Sequence, residues 1–340
     1  MPSSAAQRNI RTISYAKYGY MFILPFFLIY AIFQLYPLIY TFSISTTNVQ
    51  NGVDTFVGLK NFQDLLFTST NRTTKALHEG FLQSIKNTLN IWLLNFIPQI
   101  ALSLLLAVWF TDSKLKIKGK GFFKVVMYMP NIITASSVAV LFLSLFGETS
   151  EAPVNGTLMR MGLIDTAIKF TTDGSIKRGM VSFIQAWMWY GNTMILLMSG
   201  IMGINPSLFE AANIDGANSW QVFTKITVPS LRPILLYTVI TSMIGGLQMF
   251  DIPLLYNAGT NNDPNTKTIA IFIYERYVGT IKQYGYSAAA SILLFIMTSI
   301  LGSITFYLNR DVDAAKRKKQ LKKLKKQAKQ KNKGLGGFEI

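Results

Sequence analysis

Six stretches of this chain are each long and apolar enough to cross a bilayer, and no other feature constrains the fold as tightly. They run near Tyr20–Phe42, Thr88–Phe110, Val125–Phe146, Val181–Ile204, Ile234–Tyr256 and Tyr284–Leu308. A hydrocarbon core of about 30 Å takes roughly 20 residues of helix. Lipid offers no partner to an unpaired backbone group, so only helices and closed barrels span it. Barrel strands would be shorter, with alternating polarity. The reading is therefore an all-α polytopic membrane protein with six transmembrane helices. Half of its residues are hydrophobic and only 14% are charged. Asp251 is the single charged residue inside the six stretches.

Arg8, Arg11 and Lys17 precede the first stretch as in a signal peptide, but no small-residue cleavage site follows. We read an uncleaved first helix. Basic residues then set the orientation. With both termini inside, the inner segments hold 22 Lys and Arg and the outer loops 11. The tail supplies twelve of the 22, yet the outer loops are much longer, so basic density still favours this arrangement. Lys114, Lys116, Lys118 and Lys120 mark one short inner loop. The expected organisation is a cytoplasmic N-terminus at 1–19, a membrane domain at 20–308 and a basic cytoplasmic tail at 309–340. Turn signals punctuate the outer loops, at Asn51-Gly52, Asp173-Gly174 and Asp263-Pro264.

Several chemistries are excluded. The chain has no cysteine, hence no disulfide and no thiolate ligand or nucleophile. One histidine, His78, cannot make a multi-histidine metal site, and we expect no metal site. His78 lies in an outer loop beside Glu79 and reads as solvated. No acid–base cluster marks a catalytic centre, so we expect no catalytic residue. No GxxxxGK[ST] run is present, so no P-loop for ATP is expected.

The inner segment at 205–233 stands apart. Pro206 suits a helix start, and Ser207 with Glu210 three places on spells a capping box. A short helix should reach about Ile214 and break at Asp215-Gly216, where Gly216 can take a positive φ. A second helical stretch carries Trp220, Phe223 and Ile226 on one face, until Pro229 and Pro233 end it. Without further context this is a helix–turn–helix at the membrane surface, either an ordinary interfacial amphipathic helix or one that fills a groove on a partner.

Its residues decide between these. Glu210-Ala211-Ala212, Asp215-Gly216-Ala217, Phe223 and Pro229 resemble the EAA loop of ABC importer permeases. Phe56-Val57-Gly58-Leu59-Lys60-Asn61-Phe62, Asn87-Thr88-Leu89, Phe123-Lys124, Met129-Pro130 and Gly156 to Ile164 are similar to other segments of that family. The likeness is greatest to sugar permeases of the maltose and multiple-sugar type in their plainer six-helix form. It departs at Tyr256-Asn257-Ala258-Gly259-Thr260, where the family often has Leu-Thr-x-Gly-Gly-Pro. The resemblance implies a multi-pass subunit of the bacterial cell membrane that binds no cofactor itself. It implies a second homologous permease, a cytoplasmic ATPase dimer carrying ATP and Mg, and an outer sugar-binding protein. Glu210, Ala211, Ala212, Asp215, Gly216, Ala217, Phe223 and Pro229 would couple to the ATPase.

Polar groups inside spans are costly and point either to a cavity or to helix–helix contact. Gln185, Trp189 and Asn192 fall at i, i+4 and i+7 and share a face. Amides for hydroxyls beside a flat aromatic ring suit a sugar. Gln248 and Asp251, three apart with Phe250 between them, read as a second such face. Asn131 and Thr134 follow the kink position Pro130 and are weaker candidates. Trp187 and Tyr190 read as lipid-facing or interfacial. The tail from Lys316 to Lys333 suits anionic membrane lipid or plain solvation, and without aromatics it does not suggest nucleic acid. The same build could carry glycerol phosphate or a polyamine, or the chain could be an ion-driven carrier. Spans with no base and one acid fit a neutral sugar better.

Overall fold

The computed structural model describes residues 16–50, 53–68, 70–112, 115–258, 263–279 and 282–308, with positions 320, 321 and 324 of the tail. The N-terminal segment to residue 15, Asn51-Gly52, Lys114, Gly259-Thr260 and most of the basic tail lie outside the described residues. The chain forms two compact units, one from residues up to Glu79 plus Ile273–Leu293, the other from Gly80–Phe272 plus the stretch from Leu294 onward.

In the first unit, one span runs Tyr18–Ser45, and its apolar surface is wholly uncovered. A π turn at Ala31–Leu35 interrupts it, two residues before Pro37. Proline has no N–H and its ring crowds the carbonyl four residues back. Widening the preceding turn moves that carbonyl aside, so the helix continues. Beyond the span, Thr47–Gln50 and Val53–Phe56 form an antiparallel hairpin in which Gln50 faces Val53. A short helix, Lys60–Leu66, follows. Asn61 donates to the carbonyls of Ser45 and Thr47, both at 2.9 Å, and Tyr286 donates to Asp64 at 2.8 Å. His78 is not simply solvated: its Nδ1 lies 2.9 Å from the Leu65 carbonyl oxygen.

The second unit holds most of the membrane helices. The expected second span is the inner part of a 40-residue helix, Arg72–Thr111. At 1.5 Å per residue it is about 60 Å long, twice the hydrocarbon thickness. The third expected span is a broken pair: Lys120–Asn131 and Ala135–Leu145 meet at 93°. A 3₁₀ turn at Met129–Asn131 contains Pro130, and Thr134 caps the second arm by accepting from Ser137 N at 3.4 Å. The fourth span is Gly174–Met202, capped by Asp173. The fifth breaks into Arg232–Leu247 and Asp251–Ala258, and the sixth is Tyr284–Leu308.

Two apolar clusters hold this unit together. One gathers Ile91, Val138, Phe142, Val181, Ile184, Met188, Met249 and Ile252. The other gathers Leu106, Phe110, Tyr190, Met194, Leu197, Met198, Ile201 and Leu231. Lipid is as apolar as leucine, so buried polar pairs and close backbone approach add the cohesion. Gln99 donates to Thr193 at 2.9 Å and Ser103 to the Tyr190 carbonyl at 2.7 Å. Gly191 packs so tightly against the Met127–Tyr128 backbone that a Cβ there would collide. Tyr190 is therefore buried rather than lipid-facing, with its hydroxyl on Met127 Sδ, and Trp187 packs on Phe142 with ring centroids 5.4 Å apart.

Above this core, Asn87 donates to the carbonyls of Pro264 and Lys267, and Thr88 Oγ1 accepts from Ile269 N at 2.9 Å. Glu148 accepts from Thr171 N, Thr171 Oγ1 and Thr172 N, fastening the loop before the fourth span. Burial alone would raise the Glu148 carboxyl, but these bonds prevail and hold it below its ordinary value. Lys177 is fully buried.

Candidate functional site: a surface lever and an open polar face

The segment at 205–233 begins where the fourth span ends. Pro206–Ile214 turns away from Gly174–Met202 by 73°. Asn205, not Ser207, is its cap: Asn205 Oδ1 accepts from Ser207 N at 3.1 Å, with Pro206 in the first turn. The capping box expected at Ser207 and Glu210 is displaced because the helix starts two residues earlier than that box requires. A true capping box occurs in the next helix. There Asn218 Oδ1 accepts from Gln221 N at 2.8 Å and Gln221 Oε1 from Asn218 N at 2.9 Å.

The turn between the helices is a Schellman motif. Gly216 has φ +71°, Gly216 N donates to Asn213 O at 3.2 Å, and Ala217 N to Ala212 O at 2.9 Å. Pro229 stands one residue before the end of the second helix, at Ser230. It follows a π turn, Phe223–Thr227, by two residues, and the chain runs on through Val228–Ser230 to the fifth span at Arg232. The same device carries the first span past Pro37. Periodicity alone could not show it; a proline inside an otherwise helical, apolar run was the available signal.

Within this lever Glu210, Ala211, Asp215, Gly216 and Pro229 are exposed, Ala217 and Phe223 half-buried, and Ala212 buried. Met202, Leu208, Ile214 and Trp220 add apolar surface, Ile214 being 86% exposed. The rings of Trp220 and Phe223 pack at a tilt, with centroids 5.6 Å apart. At the root of the lever lies a hollow of about 570 Å³ lined by Leu196, Gly200, Leu208 and Pro233 among others. Two residues not singled out from the sequence join the lever to the membrane domain. Leu231 is fully buried, and Gly200 opposes it so closely that a Cβ would sit 2.7 Å from Leu231 Cδ2.

The second set of candidates divides. Gln185, Trp189 and Asn192 do share the open face of Gly174–Met202: Gln185 is half-buried, Trp189 48% exposed and Asn192 exposed. Gln248 and Asp251 are both exposed, at an interruption within the span Arg232–Asn257. The helix ends at Leu247, Gln248 caps it at φ −100° and ψ 9°, and Asp251 opens the next helix. Phe250, between them, is half-buried. Asn131 is drawn into packing, donating to the Met188 carbonyl at 3.3 Å, and Thr134 is occupied as a cap. The break in the third span thus abuts the fourth between Gln185 and Trp189. Asp251–Ala258 in turn packs on Ala135–Leu145. A separate, almost wholly apolar cavity of about 510 Å³, lined by Pro98, Leu102, Ala186 and Trp187 among others, includes none of these candidates.

Residues 90–314 match the family described as binding-protein-dependent transport system inner membrane component. The chain belongs to this family. The permease is 30% identical to the arabinooligosaccharides transport system permease protein of Bacillus subtilis over 91% of its own length and 94% of that protein. It is 28% identical to the lactose transport system permease protein of Rhizobium radiobacter, over 86% and 94%. Its fold matches a bacterial ABC transporter involved in the import of the acidic polysaccharide alginate. The TM-score is 0.74 at 25% identity, covering 87% of this permease and 96% of that chain. A second structure of the same fold, of a bacterial alginate ABC transporter in complex with an alginate pentasaccharide-bound periplasmic protein, matches with TM-score 0.73 at 24% identity.

Proposed function

We propose that this permease carries a neutral sugar or oligosaccharide across the bacterial cell membrane, driven by a separate ATPase that grips the lever at 205–233. The observation that carries the reading is the continuity of parts. A helix closed at both ends by cap and Schellman bonds joins, through one bend of 73°, the span that presents Gln185, Trp189 and Asn192. A stiff element is what a force from outside the membrane needs in order to move an inner helix rather than deform locally. Glu210 and the apolar face of Leu208, Ile214 and Trp220 would fill a groove on the ATPase dimer. Both termini lie inside on this reading. A second, homologous permease would cover the open polar face, and an outer binding protein would deliver the sugar. The sugar relatives and the absence of any base in the six apolar stretches support a neutral substrate.

Coupling of this kind is a free energy between two sites and acts in both directions. Loaded binding protein should therefore stimulate ATP hydrolysis. The test is the purified complex in vesicles. Sugar uptake should follow ATP supply and survive collapse of the ion gradients. Uptake that stops with the gradients and ignores ATP would refute the proposal.

A further inference from the structure

The function just proposed makes no use of the apolar cavity of about 510 Å³ between Arg72–Thr111, Lys120–Asn131 and Gly174–Met202. Its size suits a ligand, since binding cavities hold roughly 300–1,000 Å³. On the fourth span its wall is Gly179, Phe183, Ala186 and Tyr190, spaced 4, 3 and 4 along one face. Gln99, Ser182 and Tyr190 reach the wall, but their donors are already bonded within the chain. Gln99 donates to Thr193, Ser182 to the Arg178 carbonyl at 2.8 Å and Tyr190 to Met127 Sδ at 3.2 Å. A wall of this kind offers water too few partners to hold it. Leu94, Leu102 and Phe183 are exposed, so the cavity opens to whatever surrounds the spans. At Gly179 a Cβ would meet nothing within 4 Å.

We infer that this cavity is a binding site for one acyl chain of a membrane lipid. The wall runs from Leu94 to Leu106 on one helix and from Gly179 to Tyr190 on the other. At 1.5 Å per residue that is about 16–18 Å, half the hydrocarbon thickness and so the reach of one chain from one leaflet. Spread over this length, 510 Å³ gives a cross-section of about 30 Å². A helix about 10 Å across covers roughly 80 Å² and does not enter. A hydrocarbon chain with neighbours about 4.5 Å away covers roughly 20 Å² and does. The stripe of Gln185, Trp189 and Asn192 lies about 120° around the same helix from the cavity stripe. A second subunit laid on those polar groups leaves the cavity on another side, open to lipid. The inference rests on the spans lying in a bilayer, and not on which solute is carried or what drives it.

The test uses the full importer reconstituted in phosphatidylcholine whose acyl chains carry a photoreactive diazirine. Irradiation and peptide mapping should place lipid on Phe183, Trp187 and Met127, which line the cavity. Once detergent replaces the bulk lipid, that capture should persist, while capture on Ile97, exposed outside the cavity, should vanish. Gly179→Leu fills the space without a clash. Each displaced methylene weakens retention about four-fold and a leucine displaces several, so capture in the cavity should fall at least about ten-fold. Capture on Ile97 in vesicles should not change. Ala186→Leu enters the same cavity about two turns along and should act alike, which keeps the test decisive if the first variant fails to assemble. Cavity capture that washes away together with that on Ile97, or that neither variant reduces, would overturn the inference. So would a photoreactive phenylalanine analogue at position 183 that couples to the second permease instead of lipid, which would show protein as the occupant. None of these results bears on whether uptake follows ATP, so the two proposals fail separately.

Discussion

Gly216 gives the sharpest test of the lever. Its φ of +71° lies in the left-handed region, and a Cβ built there meets nothing within 4 Å. Any side chain therefore has room, and the whole cost of replacement is backbone strain. For an ordinary L-residue that cost is roughly 1–2 kcal/mol, and it is least for asparagine. An alternative backbone forfeits the two Schellman bonds from Gly216 and Ala217 that terminate Pro206–Ile214. The intact lever should thus become about five- to thirty-fold less favoured relative to a frayed one. The variants should order Asn, then Ala, then Val, from mildest to worst. The assay is the ratio of sugar moved to ATP hydrolysed by reconstituted complexes. Assembly should be unchanged, because Gly216 is exposed and touches no core residue. Normal transport per ATP in Gly216→Val would refute the reasoning. So would an order that follows side-chain size or charge, with asparagine worse than alanine, which would mean that Gly216 is a contact rather than a hinge of the cap.

Four other outcomes are expected. Asn205→Ala should cost the lever about 1 kcal/mol, visible as lower coupling, while Ser207→Ala should be close to neutral because Asn205 is the cap. Gly191→Ala should impair folding and membrane assembly, at a cost of about 1–3 kcal/mol, because the new methyl meets the Met127 carbonyl; solubilised yield and thermal midpoint report it. Gln185→Ala and Asn192→Ala should each raise the half-saturating sugar concentration several-fold, the value of about one hydrogen bond, without uncoupling ATP use. Glu148 titrates below its ordinary value of 4.5 in the folded chain, so its contribution to stability is present above that value and fades as pH falls through the lowered one. The thermal midpoint of the wild type should drop on acidification through that window, and that of Glu148→Gln should be flatter.

How much of this was legible beforehand varied with the physics behind each feature. Spans follow from the length of apolar runs, a property each segment carries alone. Gly216 was legible because a backbone with positive φ selects glycine almost by itself. Breaks were not. Val125–Phe146 reads as one apolar stretch, yet it bends by 93° because Asn131 can reach the Met188 carbonyl and Gly191 lets the turn approach. Both partners lie some 60 residues away in sequence. The interruption at Gln248 within the fifth span was equally silent in its apolar run. The π turns before Pro37 and Pro229 were not legible either, since an apolar run does not show how its helix accommodates a proline.

The polar residues of the spans can now be separated on energetic grounds. Gln99, Ser103, Thr193 and Thr238 are buried and hydrogen-bonded within the chain, and they serve as cohesion. Gln185, Asn192, Gln248 and Asp251 are not buried, and among the described residues their side chains find no hydrogen-bond partner. Against hydrocarbon each unsatisfied polar group would cost several kcal/mol, and the carboxylate of Asp251 at least as much. A chain that left all four facing lipid would forfeit much of the stability of an ordinary domain, about 5–15 kcal/mol. These faces must therefore meet water or protein in the working assembly. Trp189 lies between Gln185 and Asn192 and is itself half exposed, so the surface awaiting cover combines amides with a flat ring. An opposing subunit that sealed it completely would leave a dry polar seam; one that left a gap would leave a channel lined for hydroxyl groups. Cross-linking from Asn192→Cys to an introduced thiol on the second permease, lost or slowed when sugar is present, would show the gap. Cross-linking unaffected by sugar would show the seam, and with it that the substrate passes elsewhere.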